Sequence, residues 1–363
     1  MRNCLIVPAV MLLMGLPGQT FSATDDKEAN GAVLAIVEST LKTDSDHIRQ
    51  FVLDGDSQTY FASDGNPTAS DSLTVVLDKP ASVKSIAVET GRPNGENKLE
   101  SPSIEVSRDG REFERIAVKS SDGAVSANMD GHEIKAIRIR STEDLKHPLV
   151  VREITIDSTP HVATFKYPVE IAVDVSDAPE MKDWADKCVR ICERAYPMMN
   201  EELASDGFKP AHFAKMTFKK DYRGVAATGR TRITGSVKYF QDHPDDFGAM
   251  VHETVHVVQA YGYGRGNPGW LVEGVADYIR FFKYEPGKVG RLGNPDRLHY
   301  NGSYRVTARF LNYVTEKYDK QLVKKLNAAM RQGKYSDDLF KDYTGKTVTD
   351  LDDEWRASLK KTT

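Results

Sequence analysis

Two histidines four residues apart, His252 and His256, frame the string His252-Glu253-Thr254-Val255-His256. On a helix such residues share one face about a turn apart, so both imidazoles can reach one metal ion. Glu253 is then displaced to the side where an activated water would lie and where a carboxylate can take its proton. Sixteen residues further on, Glu273-Gly274-Val275-Ala276-Asp277 supplies two carboxylates one helical turn apart. Glu273 can close the site as a third, anionic ligand. Asp277 can accept a ring N–H from a ligand histidine and fix its orientation. The alternative, with Asp277 itself as third ligand, has the less usual spacing. Zn2+ held by His252, His256 and Glu273, with Glu253 as general base, points to hydrolysis by a metal-activated water.

Two helices must carry these side chains. Pro244 to Tyr261 places Phe247, Met250, Val251, Val255 and Val258 on one apolar stripe. Pro244 suits a first helical turn, and Asp245 and Asp246 suit its positive end. The second helix is expected from near Pro268 to Pro286-Gly287, with Leu271, Val272, Val275, Ile279 and Phe282 apolar. Glu273 and Asp277 interrupt that apolar run, where an unpaired carboxylate is costly. A metal and its histidines give both a reason to be there. The third and sixth positions after His256 are Gln259 and Gly262, not the Gly and His of a metzincin. A downstream Glu on its own helix, with Asp four residues later, instead resembles the gluzincins, a zinc peptidase class.

Residues 1–23 combine one basic residue, an apolar run through Leu16 and the small residues Ser22 and Ala23. That pattern is expected to be a signal peptide, too short for a membrane span. Cys4 precedes the apolar run, so it is not placed as a lipid acceptor. No other apolar stretch approaches the roughly 20 residues of a transmembrane helix, so the mature chain is expected to be exported, extracellular or periplasmic. Losing Arg2, the only charged residue of that segment, takes the net charge from −4 to −5. Mild acidity with no basic stripe argues against a nucleic-acid partner. Cys188 and Cys192 alone remain after processing, too few for a disulfide scaffold. Their helical spacing makes a bridge awkward and favours two small core thiols. A chain of 363 residues exceeds what one core usually takes, so two domains are expected.

Residues 28–158 are short alternating runs separated by turn signals: Leu73–Leu77, Val83–Val88, Ser103–Val106, Ile137–Ile139 and Val150–Ile156. That spacing reads as an antiparallel β-sandwich. Asp54-Gly-Asp-Ser-Gln-Thr59, Leu73–Leu77, Ser107-Arg-Asp-Gly110 and Leu149-Val-Val-Arg-Glu-Ile154 resemble, in order and spacing, the discoidin or coagulation-factor type C domain. The resemblance implies a jelly-roll sandwich that binds carbohydrate or lipid surfaces through loops at one end, many bacterial ones with a structural Ca2+. Asp54, Asp56, Thr59 and Glu153 could supply some of the oxygen ligands such an ion needs. Asp54-Gly-Asp read by itself is equally a turn. Tyr60 and Phe61 are candidates for a glycan surface or for the core.

From residue 162 the pattern changes. Val162–Val175 is expected as a long strand, Ala178–Tyr196 as a helix, and His212–Phe218 and Thr231–Tyr239 as strands. After the second ligand helix, further helices are expected to start near Ser303, Asp319, Ser336 and Thr349, each a plausible N-cap. A small mixed sheet on the motif helix, followed by a helical lobe, is an α+β zincin arrangement over residues 162–360. Here Asp221–Ala227, Asp245–Gln259, Trp270–Tyr278, Tyr304–Tyr313 and Gly345–Val348 resemble the basic secretory protein family of plants and bacteria. That resemblance implies a zinc metallopeptidase-like domain, carried onto His252, Glu253, His256 and Glu273. The acidic balance departs from the family's "basic" label. Tyr304 and His299, flanking Gly302-Ser303, are the candidates for a donor to the scissile carbonyl. Thr231–Lys238 would be an edge strand that pairs with extended substrate, or a buried strand. The Gly-rich connector Tyr261–Gly266 is expected at the rim of the cleft. Three readings follow: a secreted zinc endopeptidase tethered by a glycan-binding front domain, a non-catalytic adhesion protein, and a zinc hydrolase specific for glycopeptides.

Overall fold

The computed structural model describes residues 31–44, 46–262, 266–291 and 293–360. The signal peptide expected at residues 1–23 lies outside the described residues, as do residues 263–265 of the Gly-rich connector. The chain divides into two compact units between Lys166 and Tyr167.

In the first unit the alternating runs become strands β1 (Ala35–Ser39), β2 (Phe61–Ala62), β3 (Leu73–Thr90), β4 (Pro102–Ser107), β5 (Glu114–Arg115), β6 (Lys119–Ser121), β7 (Ala124–Ser141) and β8 (Val150–Thr159). Leu73–Leu77 and Val83–Val88, expected as separate strands, are two halves of β3. Its register shifts between Val76 and Ala81, where Pro80 has no N–H to give the ladder, and again between Val83 and Ser85. The early half of β3 pairs with β1 and the late half of β7. The late half of β3 pairs with β8 and the early half of β7. Two long strands therefore serve both layers of an antiparallel sandwich, with β4 and β5 extending one layer and β2 and β6 the other. Leu73, Val75, Ile86, Val88, Ile137 and Ile139 alternate into the shared core. The unit runs past the expected boundary at 158. Val33 N–H donates to His161 (2.8 Å), Ala163 N–H to Val33 (2.9 Å) and Phe165 N–H to Leu53 (2.8 Å).

That tie, followed by Pro168, cuts the expected Val162–Val175 strand down to β9 (Glu170–Asp174). The second unit continues with α1 (Lys182–Glu202), β10 (Phe213–Lys219), β11 (Ala226–Gly229), β12 (Arg232–Ser236), α2 (Val237–Asp242), α3 (Phe247–Gln259) and α4 (Gly269–Tyr278). Its sheet order is β11-β12-β10-β9, with β11 antiparallel at one edge and the rest parallel. The segment expected as strand Thr231–Tyr239 is therefore interior and shorter. Ser236 ends it by capping α2, its hydroxyl accepting from Tyr239 N–H at 3.3 Å. The edge on that side is β11, which spans Ala226–Gly229. A π-helical turn, Ile279–Tyr284, prolongs α4, and α5 (Tyr304–Lys317), α6 (Leu322–Gln332), α7 (Asp338–Thr344) and α8 (Val348–Lys360) complete a helical lobe. Cys188 and Cys192 are buried free thiols inside α1. No helix among the described residues is long and apolar enough to cross a membrane.

The lobe is clasped at one corner by Glu354 of α8. Its carboxylate accepts from Tyr318 and Tyr313 at the end of α5 (2.6 and 2.7 Å) and from Lys346 before α8 (2.5 Å), and pairs with Lys317. These donors hold the Glu354 carboxyl far below the usual carboxylate range, the bonds from Lys317 and Lys346 most of all. A depressed carboxyl contributes stability above its unfolded pKa, and the contribution is lost as pH falls. Glu354→Gln is expected to cost about 1 kcal/mol at pH 7, as a solvent-facing network would. The difference from wild type should begin to shrink near pH 4 and go on shrinking to the lowest pH at which the chain stays folded, in denaturant melts; a pH-independent difference would contradict the clasp.

Candidate active site

Helix α3 carries the first histidines because its start and end are both fixed. Asp246 caps it, accepting from Ala249 N–H at 3.1 Å, and Ala260 closes it in a left-handed turn at φ 48°. Gly248 lets the Arg280–Glu285 pair lie directly on this first turn, where a Cβ would run into Glu285. Helix α4 crosses α3 and is itself held against α5 at Gly274, where a Cβ would strike the Thr307 side chain.

The crossing brings three ligand atoms together. His252 Nε2 lies 3.1 Å from Glu273 Oε2 and 3.2 Å from His256 Nε2, and His256 Nε2 lies 3.4 Å from Glu273 Oε2. Among the described residues no other three histidine, cysteine, aspartate or glutamate side chains gather in this way. The outer ring nitrogens are spoken for. His252 Nδ1 lies 2.7 Å from Asp277 Oδ1, and a carboxylate only accepts, so Nδ1 carries the proton. His256 Nδ1 lies 2.7 Å from Gln259 Oε1, whose amide nitrogen donates to the Val272 carbonyl of α4 at 2.9 Å. Both Nε2 atoms thereby present lone pairs towards each other and towards a carboxylate oxygen, an arrangement that repels unless a cation sits among them. Donors about 2.0–2.1 Å from a tetrahedral ion stand about 3.3 Å apart, so the triangle fits a small divalent metal. Without one, a proton takes its part. Burial opposes the His252 imidazolium, but the bonds to Asp277 and Glu273 outweigh it and raise His252 to about 9. Burial likewise opposes the Glu273 charge, yet the two histidines hold it down at about 2.

Glu253, next in sequence to His252, is 8% exposed at the floor of a cleft of about 1230 Å³. The Thr228 hydroxyl of β11 stands 2.7 Å from Glu253 Oε2 and 2.9 Å from its backbone carbonyl, and orients the carboxylate. Thr228 and Gln259 are the two functional residues that sequence reasoning missed. In the sequence Gln259 stands out only as a non-metzincin residue, and its polar side chain beside an apolar stripe is the available signal. Tyr304 stands beside the ligand cluster. Its ring stacks 6.1 Å from that of His252, it is 54% exposed, and the Glu273 charge, ahead of burial, raises its phenol. It is reached through strained backbone, with Ser303 at φ 65° and Tyr304 at φ 47°. His299 does not join it. Its Nδ1 lies 3.1 Å from the buried Asp352 carboxylate of α8, which also accepts from Tyr300 N–H at 2.7 Å. That partner, fifty-three residues away, could not be read beside Gly302-Ser303.

In the first unit Asp54, Asp56 and Thr59 form one tied turn, and Glu153 reaches it from β8. Asp54 accepts from Asp56 N–H at 3.0 Å, Thr59 Oγ lies 2.9 Å from Asp54 Oδ2, and Gly55 N–H donates to Glu153 Oε2 at 3.1 Å. Burial and the neighbouring Asp54 charge push Glu153 up to about 7. Tyr60 stacks on His47 at 3.9 Å and Phe61 is buried in the core.

Residues 159–355, more than half of the chain, match the family described as "Peptidase of plants and bacteria". The chain belongs to that family, the basic secretory protein family of the sequence resemblance. Residues 35–170 match the F5/8 type C domain. A search of curated proteins finds no match. Among solved structures, the chain is similar to the CBM32-1 module of a family 31 glycoside hydrolase from Clostridium perfringens, at 20% identity over 36% of this chain and 99% of that one, with a TM-score of 0.31. It is also similar to a family 32 module from C. perfringens NanJ in complex with galactose, at 18% identity over 34% and 92%, TM-score 0.29. A third, holding the CBM32-1, CBM32-2 and M60 catalytic domains of C. perfringens ZmpB, is matched at 14% identity over 33% of this chain and only 13% of that one, TM-score 0.30.

The orienting bonds make a direct prediction. Asp277→Ala and Gln259→Ala should each weaken metal binding about 10- to 100-fold, measured by titration against a competing chelator. A loss below twofold in both would show that the rings are held by something else.

Proposed function

We propose that the protein is a secreted zinc-dependent peptidase whose second unit hydrolyses peptide bonds and whose first unit holds it on glycan-bearing targets. The triangle of His252, His256 and Glu273 atoms, with its outer nitrogens already bonded, carries this reading. When bound there, zinc supplies a Lewis acid that brings a water towards neutrality and polarises a carbonyl. Glu253 takes the proton of the attacking water and passes one to the leaving amine, with Thr228 keeping its carboxylate on the cleft side. Tyr304, facing His252 across the opening, donates its phenolic proton as a hydrogen bond to the developing oxyanion. The free edge of β11, bordering the cleft at Ala226 and Ala227, pairs with extended substrate backbone.

Family membership and the F5/8 type C domain support a peptidase joined to a surface-binding module, and glycoproteins are the targets that unite the two. In the first unit we assign Ca2+ to the Asp54–Thr59 loop, where Glu153 and Asp54 face each other with no cationic partner among the described residues; backbone carbonyls would complete its ligands. Export rests on the amino-terminal sequence pattern. The adhesion-protein reading leaves the Thr228–Glu253 bond without a purpose.

The mature chain, loaded with zinc, should cleave a mixed peptide library and lose that activity to a chelator. Glu253→Gln should keep about one zinc per chain while cleavage falls about 10²- to 10⁴-fold. Equal cleavage by mutant and wild type would overturn the mechanism, and absence of stoichiometric metal would overturn the site. Tyr304→Phe should lower kcat about 10²- to 10³-fold with KM little changed. An effect confined to KM would instead make Tyr304 a binding residue.

A further inference from the structure

At one end of the cleft stands a cationic group that the proposed chemistry does not use. Arg305 follows Tyr304 at the start of α5 and lies in the cleft wall. Its guanidinium stacks over the buried Phe281 ring, 4.9 Å from the centroid. Among the described residues no carboxylate lies within ion-pair distance of it. Its neighbour Arg280 is the opposite case, bonded to Glu285 at 2.7 Å and paired with Asp246. Asp246 is in turn saturated, accepting from Tyr239 at 2.8 Å and capping α3. Asp246 and Glu285 are therefore both taken up by Arg280, and among the described residues neither pairs with Arg305.

Two irregular pieces of backbone put it there. The π-helical turn Ile279–Tyr284 carries both Arg280 and Phe281 into the cleft wall. The left-handed pair Ser303–Tyr304 sets the direction in which α5 starts. Such turns and such strain persist where the surrounding structure imposes them, and they collect at ligand sites. An aromatic platform under an exposed guanidinium keeps its five N–H donors in a fixed plane, matched to a planar two-oxygen acceptor. Glu253, Glu273 and Asp277 make the nearby floor acidic, so an anionic substrate needs such a counter-charge to enter.

Resting on the peptidase reading above, we infer that Arg305 on Phe281 is a subsite for a substrate carboxylate close to the scissile bond. The carboxylate is an acidic side chain or the peptide's own terminus. Three peptides of one backbone separate these sources: Glu beside the cleavage site with an amidated end, a neutral side chain with a free terminus, and a neutral amidated control. Wild type should favour one carboxylate peptide over the control about 10- to 100-fold in kcat/KM, as a charge-assisted pair would give. In Arg305→Ala that ratio should fall to within about threefold of unity, and Arg305→Glu should favour a Lys peptide instead. Arg305→Lys, retaining charge without the fork, should keep only part of the preference. Binding of the same peptides to zinc-loaded Glu253→Gln, read by fluorescence anisotropy with and without Arg305→Ala, needs no turnover. Arg305-dependent binding without cleavage in wild type would sustain the subsite and overturn the peptidase reading. Cleavage of all three peptides at equal rates, unaltered in Arg305→Ala, would overturn the subsite and leave the peptidase reading standing.

Discussion

The second unit depends on one crossing, that of α3 over α4, and on the bonds that fix its register. Asp277 grips the outer nitrogen of His252, while Gln259 grips that of His256 and reaches back to the Val272 carbonyl. The first bond ties an imidazole of α3 directly to α4; the second lies within α3, and the Gln259 amide carries it across to α4 at the Val272 carbonyl. A slip of a fraction of a turn would break both and leave buried carboxylates without partners, a penalty of several kcal/mol. The ligand triangle is thus a consequence of how the helices are locked. This is also why Gly248 and Gly274 sit where they do. One lets the Arg280–Glu285 pair close over the start of α3, and the other lets α5 approach α4 closely enough to deliver Tyr304.

Much of this was legible in the chain. The spacing of His252, His256 and Glu273 follows from helical geometry, and Asp277 one turn later follows from the cost of burying a charge. Local periodicity carries such information because each residue's face is set by its neighbours in sequence. What could not be read depends on residues far apart. Thr228 meets Glu253 only because β11 is an edge strand beside α3, and Ala227-Thr-Gly229 looks like a turn when its β12 partner is ignored. Proximity to Tyr304 in the sequence points His299 towards the cleft, whereas Asp352 of α8 holds it elsewhere.

The first unit shows the same division. Its alternating runs specify a sandwich, and the F5/8 type C match over residues 35–170 agrees. The bulges of β3 were not foreseen, because Val76 and Ala81 belong to one strand whose pairing changes layers across Pro80. Nor was the end of the unit, since Val162–Phe165 alternates like a strand of whatever follows. Hydrogen bonds back to Val33 and Leu53 decide the matter. Alternation says that a residue will be half buried but leaves open the sheet that buries it.

The cleft adds a last constraint, one of charge. Its floor gathers Glu253, Glu273 and Asp277, and a divalent cation bound there would offset only part of that. Two of the arginines on its walls are placed unequally. Arg280 is neutralised by Asp246 and Glu285 and serves to fix the start of α3, so its loss would disturb the ligand helix itself. Arg305 has no such duty: it is exposed, stacked and next in sequence to Tyr304, whose ring faces His252. Two arginines on adjoining turns have thus been separated into a structural and a free one by the acids supplied to the first. A guanidinium left free beside an acidic floor, on backbone that costs energy to hold, is best explained by an anion that arrives with the substrate.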